Sequence, residues 1–262
     1  MSGEILTTED RRNLILRRLR DNRVVHVIDL MEEFRLTDTS VRRDLKILEQ
    51  QGLARRVRGG AITANKAQQG PMLRERMEQF VQEKQRIGKE ALRHIKHNDI
   101  LVLDTGTTVL HMARQIPEAL GSASGFRIVT NSIPLVEEIG LWAAPNLVVL
   151  GGIYLPDLGA TVGPDMVEQL KRITAQCAFL GCDGFTLDGG ITSAHPLVAE
   201  AGRIMASRAD RVIVLADSSK MGRAGFVPII PVEEIDLFIT DKAASEDIVG
   251  GLQQKDVEVI LV

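Results

Sequence analysis

Ser40-Val41-Arg42-Arg43-Asp44-Leu45, closed a short interval later by Arg55-Arg56-Val57-Arg58-Gly59-Gly60-Ala61, is the stretch whose reading decides what kind of fold begins this chain. At about 100° per residue, Val41, Leu45 and Leu48 share one face of a helix. Thr39, Arg42, Arg43, Lys46 and Gln50 gather on the opposite face. Such a helix buries an aliphatic stripe and presents arginines, a lysine and short hydroxyls. A DNA major groove takes that arrangement, because arginines reach guanine edges and phosphates while Thr39 and Ser40 allow close approach. Gly52 can end the helix in a left-handed position. Residues 53–58 then read as a strand or hairpin that carries Arg55, Arg56 and Arg58 to the flanking phosphates. The alternative is a basic helix face that is merely solvated.

Two helical patterns precede it. The first, residues 9–19, puts Ile15 and Leu19 on one face with Leu16 beside them, and Thr7 or Thr8 can cap it. The second sets Val27, Leu30, Met31 and Phe34 at i, i+3, i+4, i+7. The turn Arg35-Leu36-Thr37 follows, with Thr37 as N-cap of the third helix. On Arg12, Ile15, Leu16, Leu19, the Ser40–Leu45 run, Leu48, Glu49, Gly52 and Arg56-Val57-Arg58-Gly59-Gly60-Ala61, the segment resembles the winged helix-turn-helix of the DeoR family of bacterial transcription regulators. Family members often carry His where this chain has Arg58, a change that adds phosphate attraction.

The whole chain is 262 residues, 44% hydrophobic, with a net charge of −3. That length accommodates one large domain or a small one plus a larger one, with enough apolar residues for a substantial core. The average hides an asymmetry. Residues 35–60 hold seven basic residues against three acids, a net of +4, which leaves −7 for the rest. A basic patch on an acidic protein suits a polyanion held at one end. No apolar run approaches the roughly 18 residues of a membrane span, and Met1-Ser2-Gly3-Glu4 lacks the signature of a signal peptide. Cys177 and Cys182 show no metal or disulfide spacing and read as buried free thiols of a cytoplasmic protein. The five histidines are scattered, with His195 nearest the presumed pocket, so neither a metal nor a cofactor is expected.

Residues 63–73 contain little that packs and read as a linker between a DNA-binding domain, 1–62, and a second domain, 74–262. Residues 74–97 follow as a helix. Short apolar β-branched runs then recur at 100–103, 126–130, 147–150, 177–180, 212–215, 237–240 and 257–262. Helical patterns lie between them at 109–116, 134–141, 166–173 and 198–206. This alternation predicts an α/β fold, a mostly parallel sheet with helices on both faces. In such sheets ligands bind beyond the carboxyl ends of the strands. There this chain places Asp104-Thr105-Gly106-Thr107-Thr108, Asn131-Ser132, Gly151-Gly152, Gly181-Cys182-Asp183-Gly184, Asp217-Ser218-Ser219-Lys220 and Asp241. Gly106, Thr107 and Thr108 suit a phosphate or an ordinary helix cap. The spacing matches neither a Walker A loop nor GxGxxG. Lys220 could meet a phosphate or a sugar oxygen, or be solvated. Asp104, Asp183 and Asp217 could accept from sugar hydroxyls or cap the following helices.

On these residues, together with Thr130, the Gly189-Gly190-Ile191-Thr192 run and Glu200, the second part resembles the sugar-phosphate sensor domain of the same family, which is related in fold to ribose-5-phosphate isomerase. The resemblance implies a phosphorylated sugar as effector of a repressor for a carbohydrate operon, bound to double-stranded operator DNA as a homodimer or homotetramer. The rival is an isomerase-like enzyme with Asp183 as base. The isomerase pattern has a second aspartate in that loop and a lysine before the glycine run, and both are absent here.

Overall fold

The computed structural model describes residues 8–22, 24–50, 53–57, 59–63, 73–120 and 125–262. The chain forms two compact units, Met1–Gln69 and Gly70–Val262. Thr7, Gly52, Arg58 and residues 64–72 of the expected linker lie outside the described residues.

The first unit runs α1 (Thr8–Asn22), β1 (Val24–His26), α2 (Val27–Phe34), α3 (Asp38–Gln50), β2 (Ala54–Val57) and β3 (Gly60–Thr63). The helical stripes meet in one core: Ile15 and Leu19 of α1, Val27 and Leu30 of α2, and Val41, Leu45 and Leu48 of α3, with Leu16, Met31 and Phe34 packed at its margin. Thr37 caps α3, its hydroxyl accepting from Ser40 N at 3.4 Å. The wing is the expected hairpin, with Arg56 opposite Ala61 and Val57 opposite Gly60. It gains a third strand that the sequence did not announce, since β1 pairs antiparallel with β3. Three residues between two helices carry too little periodicity to be read as a strand. Thr63, read as the start of the linker, is the last residue of β3.

Asp44 sits inside this unit, although it lies in the most charged part of the chain. It is 1% exposed. Its Oδ2 accepts from Arg11 Nε and its Oδ1 from Arg12 Nε, both at 2.8 Å. One carboxylate thereby ties α3 to α1, and the two guanidiniums satisfy it at both oxygens.

The second unit is built on a seven-stranded, wholly parallel sheet. Its strands are β4 (Ile100–Leu103), β5 (Arg127–Thr130), β6 (Leu147–Val149), β9 (Ala175–Leu180), β12 (Ala209–Leu215), β14 (Leu237–Thr240) and β15 (Glu258–Leu261). All seven expected strands are present, with ends shifted by a few residues. Successive side chains point to opposite faces. Leu101, Leu103, Phe179, Ile213 and Ile239 pack under α5 (Val81–Ala91), α6 (Thr107–Ala113) and α8 (Ile133–Ile139). Val102, Ala178, Leu180, Val214 and Phe238 pack under α9 (Pro164–Leu170), α10 (Pro196–Ser207) and α11 (Glu246–Gln254). The helix expected over 74–97 is broken into α4 (Leu73–Glu78), α5 and a 3-10 turn, because Phe80 adopts a left-handed φ of 53°. Also unannounced are α7 (Ile116–Leu120), the hairpin of β7 (Ile153–Leu155) and β8 (Ala160–Val162), and an antiparallel sheet of β10 (Gly184–Thr186), β11 (Gly190–Ser193) and β13 (Val227–Ile230).

Strand order is β15-β14-β12-β9-β4-β5-β6. The chain begins the sheet at its centre with β4, builds outward through β5 and β6, then returns to β4's other side with β9. The order reverses between β4 and β9, and that is where an open α/β sheet opens a crevice at its carboxyl edge.

Removing the buried anchor tests how the first unit is held. Asp44→Ala strands Arg11 and Arg12 and should cost about 3 kcal/mol. In urea unfolding of the whole chain, the loss should fall on the transition of the N-terminal unit and leave that of the sheet unit in place.

Candidate functional site

The recognition face of α3 is exposed as its periodicity required: Thr39, Arg42, Arg43 and Lys46 lie outward, and Ser40 is half-buried beside the Thr37 hydroxyl at 3.0 Å. Arg42 pairs one turn back with Asp38, Nε to Oδ1 at 2.5 Å, and that hydrogen bond pushes its pKa up. Arg43 and Lys46 have no carboxylate partner among the described residues. Glu49, at the end of α3, accepts from Arg56 N at 2.8 Å and lies 3.9 Å from its guanidinium, so the wing is fastened to the helix it flanks. Arg55 falls on β2. A helix face and a strand held in fixed register present cations from two elements, as groove and flanking-phosphate contacts require.

At the switch point of the sheet, the loops after β4 and β9 touch. A Cβ on Gly106 would stand 3.1 Å from the Gly181 Cα, and one on Gly181 would stand 3.0 Å from the Gly106 Cα. Two glycines are therefore needed where the loops cross. Asp104 spans the same gap: its N–H donates to Phe179 O at 3.1 Å and its Oδ2 accepts from Gly181 N at 3.2 Å. Its Oδ1 is buried with no hydrogen-bond partner among the described residues. Burial pushes this carboxyl up to about 6, against the pull of the Thr105 and Gly181 backbone donors.

Asp183, in the loop after β9, is engaged on both oxygens. Oδ1 accepts from Arg76 Nη1 at 2.7 Å, and Oδ2 from Ser193 Oγ at 3.2 Å and Ala194 N at 2.8 Å. Ser193 also receives His195 N, so His195 stands beside this network, with a buried Nδ1 that has no partner among the described residues. Asp217, fully buried, caps the turn Ser218–Lys220 through Ser219 N at 3.1 Å, and its Oδ2 is likewise without a partner. Asp241 accepts from Ser218 N at 2.7 Å and braces the same turn. Lys220 at its end has no carboxylate partner among the described residues.

Two cations of this site were not singled out from the sequence. Arg76 lies on α4 and reaches Asp183 across 107 residues of chain. Lys84, on α5, is 2% exposed and donates to Gln79 O at 2.7 Å and to Arg76 O. Burial lowers its pKa to about 8, with Asp217 opposing that shift and Lys220 and Arg76 adding to it. Both residues sit in ordinary amphipathic helical pattern before the sheet begins. The visible hint was a lysine falling on the apolar face of 74–97, next to Ile87 and Ala91.

The remaining expected residues are placed differently. Thr107 is half-buried and Thr108 buried within α6. Thr130 donates to Leu103 O at 2.7 Å, Asn131 Nδ2 donates to Thr161 O at 2.7 Å, and Ser132 caps α8. Gly151 is exposed and bonded to the Gln169 side chain at 3.1 Å, with Gly152 beside it. Gly184 packs its backbone against Arg223 O, and Glu200 is exposed on α10. Among the described residues, no cluster of His, Cys, Asp and Glu could hold a metal ion. Burial pushes the Cys177 thiol up to about 11 and raises Cys182 further, so neither is a nucleophile.

The raised Asp104 pKa gives a signed expectation. Between its ordinary 3.8 and about 6, the folded chain holds a proton that the unfolded chain has released. This group's favourable contribution is full below about pH 4 and is lost as pH rises through about 6, a change on the order of 3 kcal/mol. Asp104→Asn should flatten the stability profile of the sheet unit across that window, as measured by urea unfolding at stepped pH.

The chain matches the family model described as DeoR-like helix-turn-helix domain over residues 11–67, and that described as DeoR C terminal sensor domain over residues 79–242. The putative aga operon transcriptional repressor of Escherichia coli O157:H7 is 30% identical over 268 residues, covering 100% of this chain and 97% of that one. The HTH-type transcriptional repressor GlcR of Bacillus subtilis (strain 168) is 30% identical, covering 92% of this chain and 96% of the relative. Among solved structures, ribose 5-phosphate isomerase A from Methanocaldococcus jannaschii aligns with a TM-score of 0.40 at 18% identity, covering 53% of each chain. Two family models that together span most of the sequence, and full-length relatives of the same type, place this chain in the DeoR family of transcriptional regulators.

Proposed function

We propose that the chain is a repressor of a carbohydrate operon whose hold on its operator is released by a phosphorylated sugar at the crevice between β4 and β9. The observation that carries the effector class is the combination of charge and vacancy in hydrogen bonding at that crevice. Arg76, Lys84 and Lys220 converge with Asp104, Asp183 and Asp217, while Asp104 Oδ1, Asp217 Oδ2 and His195 Nδ1 are buried without partners among the described residues. Buried polar atoms ordinarily find partners. A polyol supplies hydroxyls for the carboxylates, and a phosphate supplies a counter-charge for the cations.

The same residues support sensing over turnover. A proton-transferring base must be free to take its proton. Asp183, the candidate, has both oxygens occupied by Arg76, Ser193 and Ala194. Arg76 supplies a route for the signal: it sits on α4, directly after residues 64–72, which lead from the DNA-binding unit. An incoming phosphate competes with Asp183 for Arg76 and so acts on the element nearest the linker. The ligand shifts the equilibrium only by its unequal affinity for the two arrangements. A single recognition helix reads few bases, so the regulator works as a homodimer or homotetramer on repeated half-sites.

Arg43→Ala should weaken operator binding by about 1–3 kcal/mol if the guanidinium grips a base edge, measured by fluorescence anisotropy at fixed salt. Arg42→Ala should cost less, since Asp38 already engages that guanidinium. Unchanged binding in both variants would remove α3 from the groove. Sugar phosphates screened by thermal shift should include one that stabilises the wild type by RT ln(1 + [L]/Kd). Thr107→Val with Lys220→Ala should abolish that shift and leave operator affinity intact. Turnover of the stabilising sugar phosphate, lost in Asp183→Asn, would make the crevice catalytic instead.

A further inference from the structure

We infer that the β6 edge of the sheet is the surface through which two copies of this chain associate. Residues 140–156 contain no charged side chain, in a chain that is 26% charged. Five of the eleven exposed large apolar side chains among the described residues fall in this one segment: Leu141, Val148, Val149, Ile153 and Tyr154. Leu141 alone is 84% exposed. Monomers seldom concentrate exposed apolar side chains of this size in one charge-free segment.

The backbone points the same way. β6 is terminal in the sheet, so its outer row of N–H and C=O groups has no strand partner among the described residues. Open edges are normally guarded by charge, bulges or cover. The opposite edge follows that rule: β15 carries Glu258, paired with Arg211 at 2.8 Å. At β6 the sequence Leu147-Val148-Val149-Leu150-Gly151-Gly152-Ile153-Tyr154-Leu155 carries no charge, and cover from within the chain is limited to its end, where the Thr161 hydroxyl meets Leu150 O and the Gln169 side chain meets Gly151.

A second copy is the occupant that fits. In a two-fold contact each patch meets itself, and a patch bearing one sign of charge would repel its own image. A charge-free patch is its own complement. Two β6 edges related by a two-fold axis run antiparallel, so each supplies the donors and acceptors that the other lacks.

The test is sedimentation of the full chain at micromolar concentration. The wild type should have the mass of a dimer or a larger even assembly. Val149→Lys and Tyr154→Lys should each halve that mass with the thermal melt of the sheet unit retained. Phe226→Lys, which charges a still more exposed apolar residue outside the segment, should leave the mass unchanged. If Val149→Lys does not fold, Leu141→Lys takes its place, since that side chain is almost wholly in solvent. Operator affinity of the edge variants should fall by about tenfold or more, because linked modules lose their effective concentration. A monomeric wild type, edge variants of wild-type mass, or loss of mass with Phe226→Lys would each overturn the proposal. A failed effector response would leave it untouched, because the interface stands on the edge and not on the crevice.

Discussion

The close passage of Gly106 and Gly181 is the constraint on which the sensor unit depends. Two loops that leave adjacent strands in opposite senses must separate, and the crevice at their parting is where an α/β sheet places its ligand. Here the two loops touch at these glycines, the Gly181 Cα standing 3.1 Å from any Cβ that Gly106 could carry. Asp104 closes the gap from within by accepting Gly181 N. With that hinge set, Asp183 is brought to Asp104, and Arg76 is brought to both.

The charges around this point form one coupled set, because each is partly defined by the others. Burial lowers the Lys84 pKa to about 8, Asp217 opposes that shift, and Lys220 and Arg76 add to it. Asp183 stays held because Arg76 neutralises it. A ligand that enters this set cannot bind one member and leave the rest unaffected, since buried electrostatic interactions are strong and poorly screened. For the effector we propose, that coupling is the means by which a small anion would act on α4. At the other end of the chain a single carboxylate plays a comparable part: Asp44 ties α3, with its exposed basic face, to α1.

Much of this was legible in the residues. The helical stripes of the first unit and the seven apolar strands of the second are strongly periodic, and both emerged where periodicity put them. The loops at the strand ends could be located because glycines, hydroxyls and aspartates cluster there. What stayed hidden was three-dimensional. Arg76 and Lys84 come from helices that precede the sheet, and nothing local distinguishes Arg76 from a solvated arginine. β1 is too short to show a period. The break at Phe80 needs a left-handed residue that is not glycine, which composition does not advertise. Asp44 reads as one more surface charge until the fold turns it inward. Within 140–156 the residues showed only the end of the helix at 134–141, the strand at 147–150 and the Gly151-Gly152 loop; the exposure of this edge depends on β6 being last in the sheet, a fact of topology alone.

The proposed switch is one free-energy coupling between crevice and operator. Linkage requires that coupling to be reciprocal. The direct measurement is the affinity of the stabilising sugar phosphate for the full chain, by titration calorimetry, with and without saturating operator DNA. The account predicts that operator DNA weakens sugar-phosphate binding by the same factor by which the sugar phosphate weakens operator binding. Equal sugar-phosphate affinities in the presence and absence of DNA would contradict it.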